Sequence, residues 1–438
     1  MEAIDLLIEA RWVVPVNPPG RVLDHHCVAV RDGRILDVLP AAQAQAAYHA
    51  AERVALPRHA LIPGLVNLHT HAAMALLRGY ADDMALMPWL QGRIWPAEAR
   101  HVAPQFVYDG TLLACAEMLR AGITCFNDMY YFPGEAARAA LDMGMRAALG
   151  LIVIEAPSAY ATDADDYVAK GLALRDELRE HQLLSFCMAP HAPYTVSDKM
   201  FSRLITLAEE LDLPVHMHVH ETLAEVEQSQ AQFGVRPLER LARLGLVSPS
   251  LLAVHMTQLL EAEIAHLAAS GAHVLHCPES NLKLASGFCP VHKLLSAGVN
   301  VALGTDGAAS NNDLDMFGEM RTAALLAKAV ANDASALPAA QALRMATLNG
   351  ARALGLGDDT GSLEKGKAAD IVAVRLDAIE CQPFYNVISQ LVYATGRDKV
   401  SDVWVAGRQL LKERELLTVD ASAVLARAQG WRTRIATT

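Results

Sequence analysis

Eight short apolar runs, each followed by a stretch of helical spacing, occupy residues 61–305 and constrain this chain more than any other feature. The runs are LIPGLVNL (61–68), GITCFND (122–128), AALGLIVIE (147–155), LLSFCMAP (183–190), PVHMHVH (214–220), LLAVHM (251–256), HVLHCP (273–278) and VNVALGT (299–305). Apolar runs of this length fit strands buried on both faces of a parallel sheet. Between them lie helix-like stretches such as YDGTLLACAEMLRAG, GEAARAALDMG and EAEIAHLAASG, several ending at a helix-stopping glycine. Eight strands alternating with helices over about 250 residues is the count of a (β/α)8 TIM barrel, an α/β fold. An open doubly wound sheet is the alternative, and no GxGxxG follows the first run to support it.

The two ends of the chain read differently. IDLLIEARWVVPV and VAVRDGRILDVLP alternate as strands do, with Asp32-Gly33 as a hairpin turn. AAQAQAAYHAAERV, residues 41–54, reads as a short helix. After Asp306 the pattern is helical to about Leu356, and strand signals return in GSLEKGKAADIVAVRLD and KVSDVWVAGRQLL. We expect residues 1–60 and 357–438 to form one small β-sandwich domain beside a catalytic barrel of residues 61–356, with DASAVLARAQGWRTRI as a closing surface helix. A chain of 438 residues is long enough for such a division.

The net charge of −12 disfavours a nucleic-acid partner. No apolar run reaches the ~18 residues of a membrane span, and MEAIDLLIEA lacks the basic and apolar segments of a signal peptide. The seven cysteines form no CxxC pair and read as free thiols. A soluble, cytoplasmic protein is expected, and a homo-oligomer is compatible with an acidic barrel of this size.

In a barrel, functional side chains sit at the C-terminal ends of the strands. The first strand offers His69 and His71, which alternation puts on one side. The fourth offers His191, the fifth His216, His218 and His220 followed by Glu221, the sixth His255, the seventh His276 and the eighth Asp306. A lone histidine is most simply a hydrogen-bonded core residue. Imidazoles or carboxylates at five or more strand ends, converging on one mouth, are not explained by packing. Such a set suits zinc or ferrous iron better than magnesium or calcium. Three histidines and one aspartate leave a position for water, whose pKa the metal lowers toward ~7. Glu221 is then placed to carry protons, its plainer reading being an acid at a helix N-terminus.

PGLVNLHTHAAMALLRGYADD, WLQGRIWPAEA, GITCFNDMY, PHAPYT, HVHET, SNLKL and LGTDGAASNN together resemble the amidohydrolase superfamily. Within it, the resemblance is to the 5′-methylthioadenosine/S-adenosylhomocysteine deaminase family. It implies that His69, His71, His218 and Asp306 bind one metal per subunit, zinc in preference to Fe2+. His218 is taken among the three strand-five histidines because His218-Val219-His220-Glu221 matches the family's His-x-x-Glu. Glu221 would shuttle protons, His255 would orient the water, and Asp306 would accept its proton. Glu98 would hold the ribose hydroxyls, His191 would contact the nucleoside and Trp89 would lie along it. His216 and His220 carry no role in that resemblance and read as structural. The fourth strand ends Met188-Ala189-Pro190-His191, without the bridging lysine of binuclear relatives.

The implied reaction is hydrolytic deamination of a small-molecule adenine nucleoside. S-adenosylhomocysteine carries a carboxylate that an arginine would recognise, and LGLIVIEAPSAYATDADDY after the third strand has none. Met74, Leu76, Leu77, Met84, Leu86 and Met87 offer an apolar surface instead. We therefore expect 5′-methylthioadenosine to be preferred over S-adenosylhomocysteine and adenosine. The rival readings are a deaminase or hydrolase of another heterocycle (guanine, a pterin or a triazine) and a non-catalytic metal-binding scaffold. A scaffold has no use for Glu221 and His255. Cytidine-deaminase chemistry would need a Pro-Cys-x-x-Cys, and Cys277-Pro278-Glu279 does not supply it.

Overall fold

The computed structural model describes residues 1–437. The N-terminal end supplies β1 (Glu2–Val13), β2 (Leu23–Arg31), β3 (Arg34–Pro40) and β4 (Tyr48–Pro63). The next eight strands are β5 (Leu65–Thr70), β6 (Ile123–Asp128), β7 (Arg146–Val153), β8 (Leu184–Pro190), β9 (Val215–Val219), β10 (Leu251–His255), β11 (His273–His276) and β12 (Asn300–Leu303). They pair in parallel and in chain order, β5 to β12, with helices between them. The barrel expected from the eight apolar runs is the architecture observed.

Its seam lies between β12 and β5, where side chains replace ladder bonds. Asn67 donates through Nδ2 to Thr305 Oγ1 at 2.8 Å and accepts the Thr305 N–H at 2.9 Å. The Asp306 N–H donates to the His69 carbonyl at 3.0 Å. Gly304 allows this approach, because a Cβ there would lie 2.7 Å from the His69 nitrogen.

The last strands are β13 (Ile371–Arg375), β14 (Val400–Val405), β15 (Arg408–Lys412) and β16 (Glu415–Leu416). They return to the first four in one sheet ordered β16-β15-β14-β13-β4-β1-β2-β3. The two chain ends meet where β13 runs antiparallel to β4, Ile371 opposite Pro63. The sheet is continuous and curls on itself. The Ile35 N–H donates to the Lys367 carbonyl and the Ala369 N–H to the Gly33 carbonyl, at 2.8 and 2.9 Å. Ile8, Val28, Ile35, Ile371 and Trp404 share the core thus enclosed.

Two expectations are corrected. The helix over residues 41–54 stops at Ala47, and Tyr48–Val54 opens β4, parallel to β1 from Glu2↔Tyr48 to Ile8↔Val54. Pairing along a neighbouring strand outweighs the helical preference of an alanine-rich segment. The run 61–68 is also not one strand. Leu61–Pro63 end β4 in the first sheet, and Leu65 begins the barrel. Gly64 makes the crossing, because a Cβ there would lie 1.9 Å from Thr124 Oγ1.

Barrel and sheet are joined by a buried ion pair. Arg146, at the start of β7, donates through Nε to Asp370 Oδ2 at 2.7 Å and through Nη2 to Oδ1 at 3.2 Å. The closing helix Ala421–Ala436 lies on the barrel helix Pro104–Arg120, with Trp431 edge-on to Phe106 and donating to Asp109 at 2.9 Å. Among the described residues no helix is long and apolar enough to cross a membrane.

Candidate metal centre and reaction cavity

The strand ends bring five of the expected residues within reach of one point. His69 Nε2 and His71 Nε2 each lie 3.3 Å from Asp306 Oδ1. His218 Nε2 lies 3.2 Å from His69 Nε2. His69, His218 and His255 form a second close triplet of donor atoms. His69, His218, His255 and Asp306 are buried, and His71 is partly so. Asp306 (φ 63°) and His255 (φ 75°) adopt left-handed backbone conformations, which cost non-glycine residues about 1–2 kcal/mol each. These bends occur at the strand ends, where the side chains turn toward the centre.

The outward nitrogen of each ring is occupied. His71 Nδ1–H donates to the Met129 carbonyl at 2.6 Å and His218 Nδ1–H to the His191 carbonyl at 2.7 Å. His69 Nδ1 meets His216 Nε2 at 2.9 Å, and His255 Nδ1 meets Asn281 Oδ1 at 2.8 Å. A proton held on Nδ1 leaves Nε2 bare, which is the tautomer that binds a metal. Two bare ring nitrogens 3.2 Å apart beside a buried carboxylate repel one another unless a cation lies among them. The donor set therefore fits one zinc ion, with His69, His71, His218 and Asp306 as the residues that would hold it.

Supporting groups come from the SNLKL segment and from β9. Ser280 Oγ donates to Asp306 Oδ2 at 2.6 Å, so Ser280 and Asn281 of the SNLKL segment fix Asp306 and His255. His216, two residues before His218 on the same face of β9, orients His69 from across the barrel. His220 turns away and accepts the Leu238 N–H at 3.1 Å. His276 is buried, and burial pushes its pKa down to about 3.

Glu221 lies just beyond β9, with Oε2 3.7 Å from His255 Nε2. Its backbone is clamped. The Glu225 carboxylate accepts the N–H groups of Glu221 and His220 at 2.7 and 3.0 Å, and Thr257 Oγ1 donates to the Glu221 carbonyl at 2.7 Å. Burial raises the Glu221 carboxyl, which favours a proton on it.

Above the cluster opens a cavity of about 640 Å³, reached by Glu221, His255, His191, Trp89 and Glu98. Trp89 closes the helix Leu86–Trp89 in the long excursion after β5, its Nε1–H held by the Ala81 carbonyl at 3.0 Å. Glu98 follows on the helix Trp95–His101 and accepts from the Tyr130 hydroxyl at 2.7 Å. Burial pushes the Glu98 carboxyl up to about 7. Burial also holds His191 neutral, its pKa down at about 3, with Nδ1 3.3 Å from Thr195 Oγ1. The apolar wall differs from the expected one. Met74 and Leu86 line the cavity, but Leu76, Leu77, Met84 and Met87 do not, and Leu90, Ile94, Ile152 and Ile154 take their place. Leu77 packs wholly into the barrel core.

The chain matches the Amidohydrolase family over residues 60–410. It belongs to the amidohydrolase family. Among curated amidohydrolases it is similar to a 5-methylthioadenosine/S-adenosylhomocysteine deaminase of Saccharophagus degradans, 50% identical over 431 residues, which cover 98% of this chain and 97% of the relative. A protein of the same description from Teredinibacter turnerae is 50% identical over 432 residues, covering 99% and 98%. Among solved structures it is similar to an adenosine deaminase from Xanthomonas campestris with bound zinc, at TM-score 0.99 and 57% identity over 100% of both chains. A zinc complex of an atrazine chlorohydrolase from Arthrobacter aurescens shares the fold, at TM-score 0.90 and 23% identity over 97% of this chain and 99% of that one.

Proposed function

We propose that this amidohydrolase is a zinc-dependent aminohydrolase that deaminates adenine nucleosides, with 5′-methylthioadenosine preferred over S-adenosylhomocysteine and adenosine. The observation that carries the proposal is the convergence of Glu221, His255 and the bare Nε2 atoms of His69, His71 and His218 on Asp306, at the floor of a cavity bearing Glu98. The similarity to deaminases of this description over nearly the whole chain supports the substrate class.

Zinc held by His69, His71, His218 and Asp306 supplies Lewis acidity, which makes water available as hydroxide near neutral pH. The residues of the chain do the rest. Burial raises the Glu221 carboxyl and so favours the proton it donates to N1 of the adenine ring, which leaves C6 electrophilic. His255 presents Nε2 to orient the attacking water, since its Nδ1–H is held by Asn281. Asp306 accepts the proton that water releases and returns it to the departing amino group. Water supplies the new oxygen at C6, its second proton returns to the Glu221 carboxylate as ammonia leaves, and an inosine analogue remains. Glu98 accepts the ribose hydroxyls, Trp89 lies along the nucleoside and His191 contacts it from the β8 side.

No lysine or arginine is among the described residues lining the cavity, and its β7 side is formed by Ile152, Ile154, Ala156 and Pro157. That wall suits a methylthio group and offers no cationic side chain to a carboxylate. All seven cysteines are free and buried, which fits a reducing, cytoplasmic setting.

The test is a steady-state assay of the zinc-loaded protein, following the adenine-to-hypoxanthine absorbance change. A higher kcat/KM for 5′-methylthioadenosine than for S-adenosylhomocysteine, adenosine or guanine is expected. A tenfold preference for S-adenosylhomocysteine would overturn the substrate assignment. No turnover of any adenine nucleoside would overturn the function.

A further inference from the structure

The last residues of β6 and the loop beyond it connect the metal centre to the far end of the cavity. Asp128 Oδ1 accepts the Ala72 N–H at 2.7 Å and the Thr70 hydroxyl at 3.1 Å, fixing the turn after His71. The next residue, Met129, takes His71 Nδ1–H on its carbonyl at 2.6 Å. The next, Tyr130, is 5% exposed and donates its hydroxyl to Glu98 Oε1 at 2.7 Å. Three consecutive residues thus hold a metal ligand at one end and the Glu98 carboxyl at the other. Glu98 itself rides on the seven-residue helix Trp95–His101, inside the excursion between β5 and β6, and not on a barrel strand. A group so carried needs an anchor on the barrel to keep a fixed distance from the metal centre.

We propose that Tyr130 is a positioning residue for ribose selection: by holding Glu98 Oε1 it turns the other carboxyl oxygen toward the 2′ and 3′ hydroxyls of a ribonucleoside. This rests on the reading of Glu98 as the ribose ligand. The Tyr130 hydroxyl is engaged by Glu98, so through it Tyr130 acts on the choice between ribose and deoxyribose and not on deamination itself. Burial raises the Tyr130 phenol well above its ordinary value, so it remains a donor throughout the working pH range. A hydrogen bond to a charged acceptor, lost together with the fixed carboxyl rotamer, corresponds to roughly tenfold in binding.

The experiment compares kcat/KM of zinc-loaded wild type, Tyr130→Phe, Glu98→Gln and the double variant on adenosine, 2′-deoxyadenosine and 3′-deoxyadenosine, with zinc content measured in each. Wild type is expected to prefer adenosine. Tyr130→Phe is expected to lose about tenfold of that preference through KM, with kcat and zinc content near wild type. The double variant should be no worse than Glu98→Gln, because Tyr130 acts through Glu98. Equal losses on all three substrates, or additive losses in the double variant, would show Tyr130 to be a packing residue and overturn the proposal. Wild type that turns over ribo- and deoxyribonucleosides equally would overturn both this and the Glu98 assignment. Wild type that turns over none of them would overturn the deaminase reading with it.

Discussion

His216→Phe tests whether the ring orientation seen around the metal centre matters. His216 is fully buried and its Nε2 is the acceptor for His69 Nδ1–H at 2.9 Å. Phenylalanine keeps the ring volume, so little cavity or overpacking cost is added. It removes the acceptor. Binding zinc through Nε2 then requires a buried Nδ1–H with no partner, which costs about 1–3 kcal/mol. Without zinc the proton moves to Nε2 and that penalty is avoided. The cost therefore falls on the zinc-bound state, and the zinc Kd should weaken roughly 10- to 100-fold, the range seen when groups behind metal ligands are removed. Competition against a chromophoric chelator gives the Kd directly, with a thermal melt to show that the fold is intact. A folded variant whose zinc Kd stays within about twofold of wild type would refute the reasoning.

Glu98 supplies a pH dependence. Burial raises its carboxyl to about 7, so it is protonated below that value and ionised above it. The kcat/KM for a ribonucleoside should fall as pH drops through about 7, and Glu98→Gln should flatten that limb, as a pH–rate profile would show. Asp370→Ala takes the two-point partner from Arg146, which is only 7% exposed, leaving it the Gln182 carbonyl at 3.3 Å and Asp359 at 3.8 Å, and also removes the acceptor for the Ala406 N–H. A loss of about 3–5 kcal/mol of stability is expected, and unchanged denaturant unfolding would contradict it.

The parts of the site that follow chain-local rules were legible in the sequence. His69 and His71 share a side because strand side chains alternate, and both reach Asp306. The eight apolar runs marked the barrel strands because a strand covered on both faces leaves a continuous apolar stretch. What could not be read depends on contacts across the barrel. His216 serves His69 only because β9 faces β5 through the interior, a relation that spacing along the chain does not encode. Ser280 and Asn281 belong to the SNLKL segment, but the partners of their hydroxyl and amide groups, Asp306 and His255, lie at the ends of other strands. Tyr48–Val54 looked helical because it runs on from the alanine- and glutamine-rich Ala41–Ala47, and only the neighbouring β1 makes it a strand. The excursion after β5 was the hardest part, because its leucines and methionines carry no mark of which face the cavity and which face the core.

Zinc stoichiometry tests the central claim most directly. Protein stripped of metal by a chelator is titrated with zinc while adenine-nucleoside deamination is followed. Activity should be absent at the start and rise linearly to a plateau at one equivalent per chain, because His69, His71, His218 and Asp306 would hold a single ion between them. Full activity in the stripped protein, or a plateau only at two equivalents, would contradict the account.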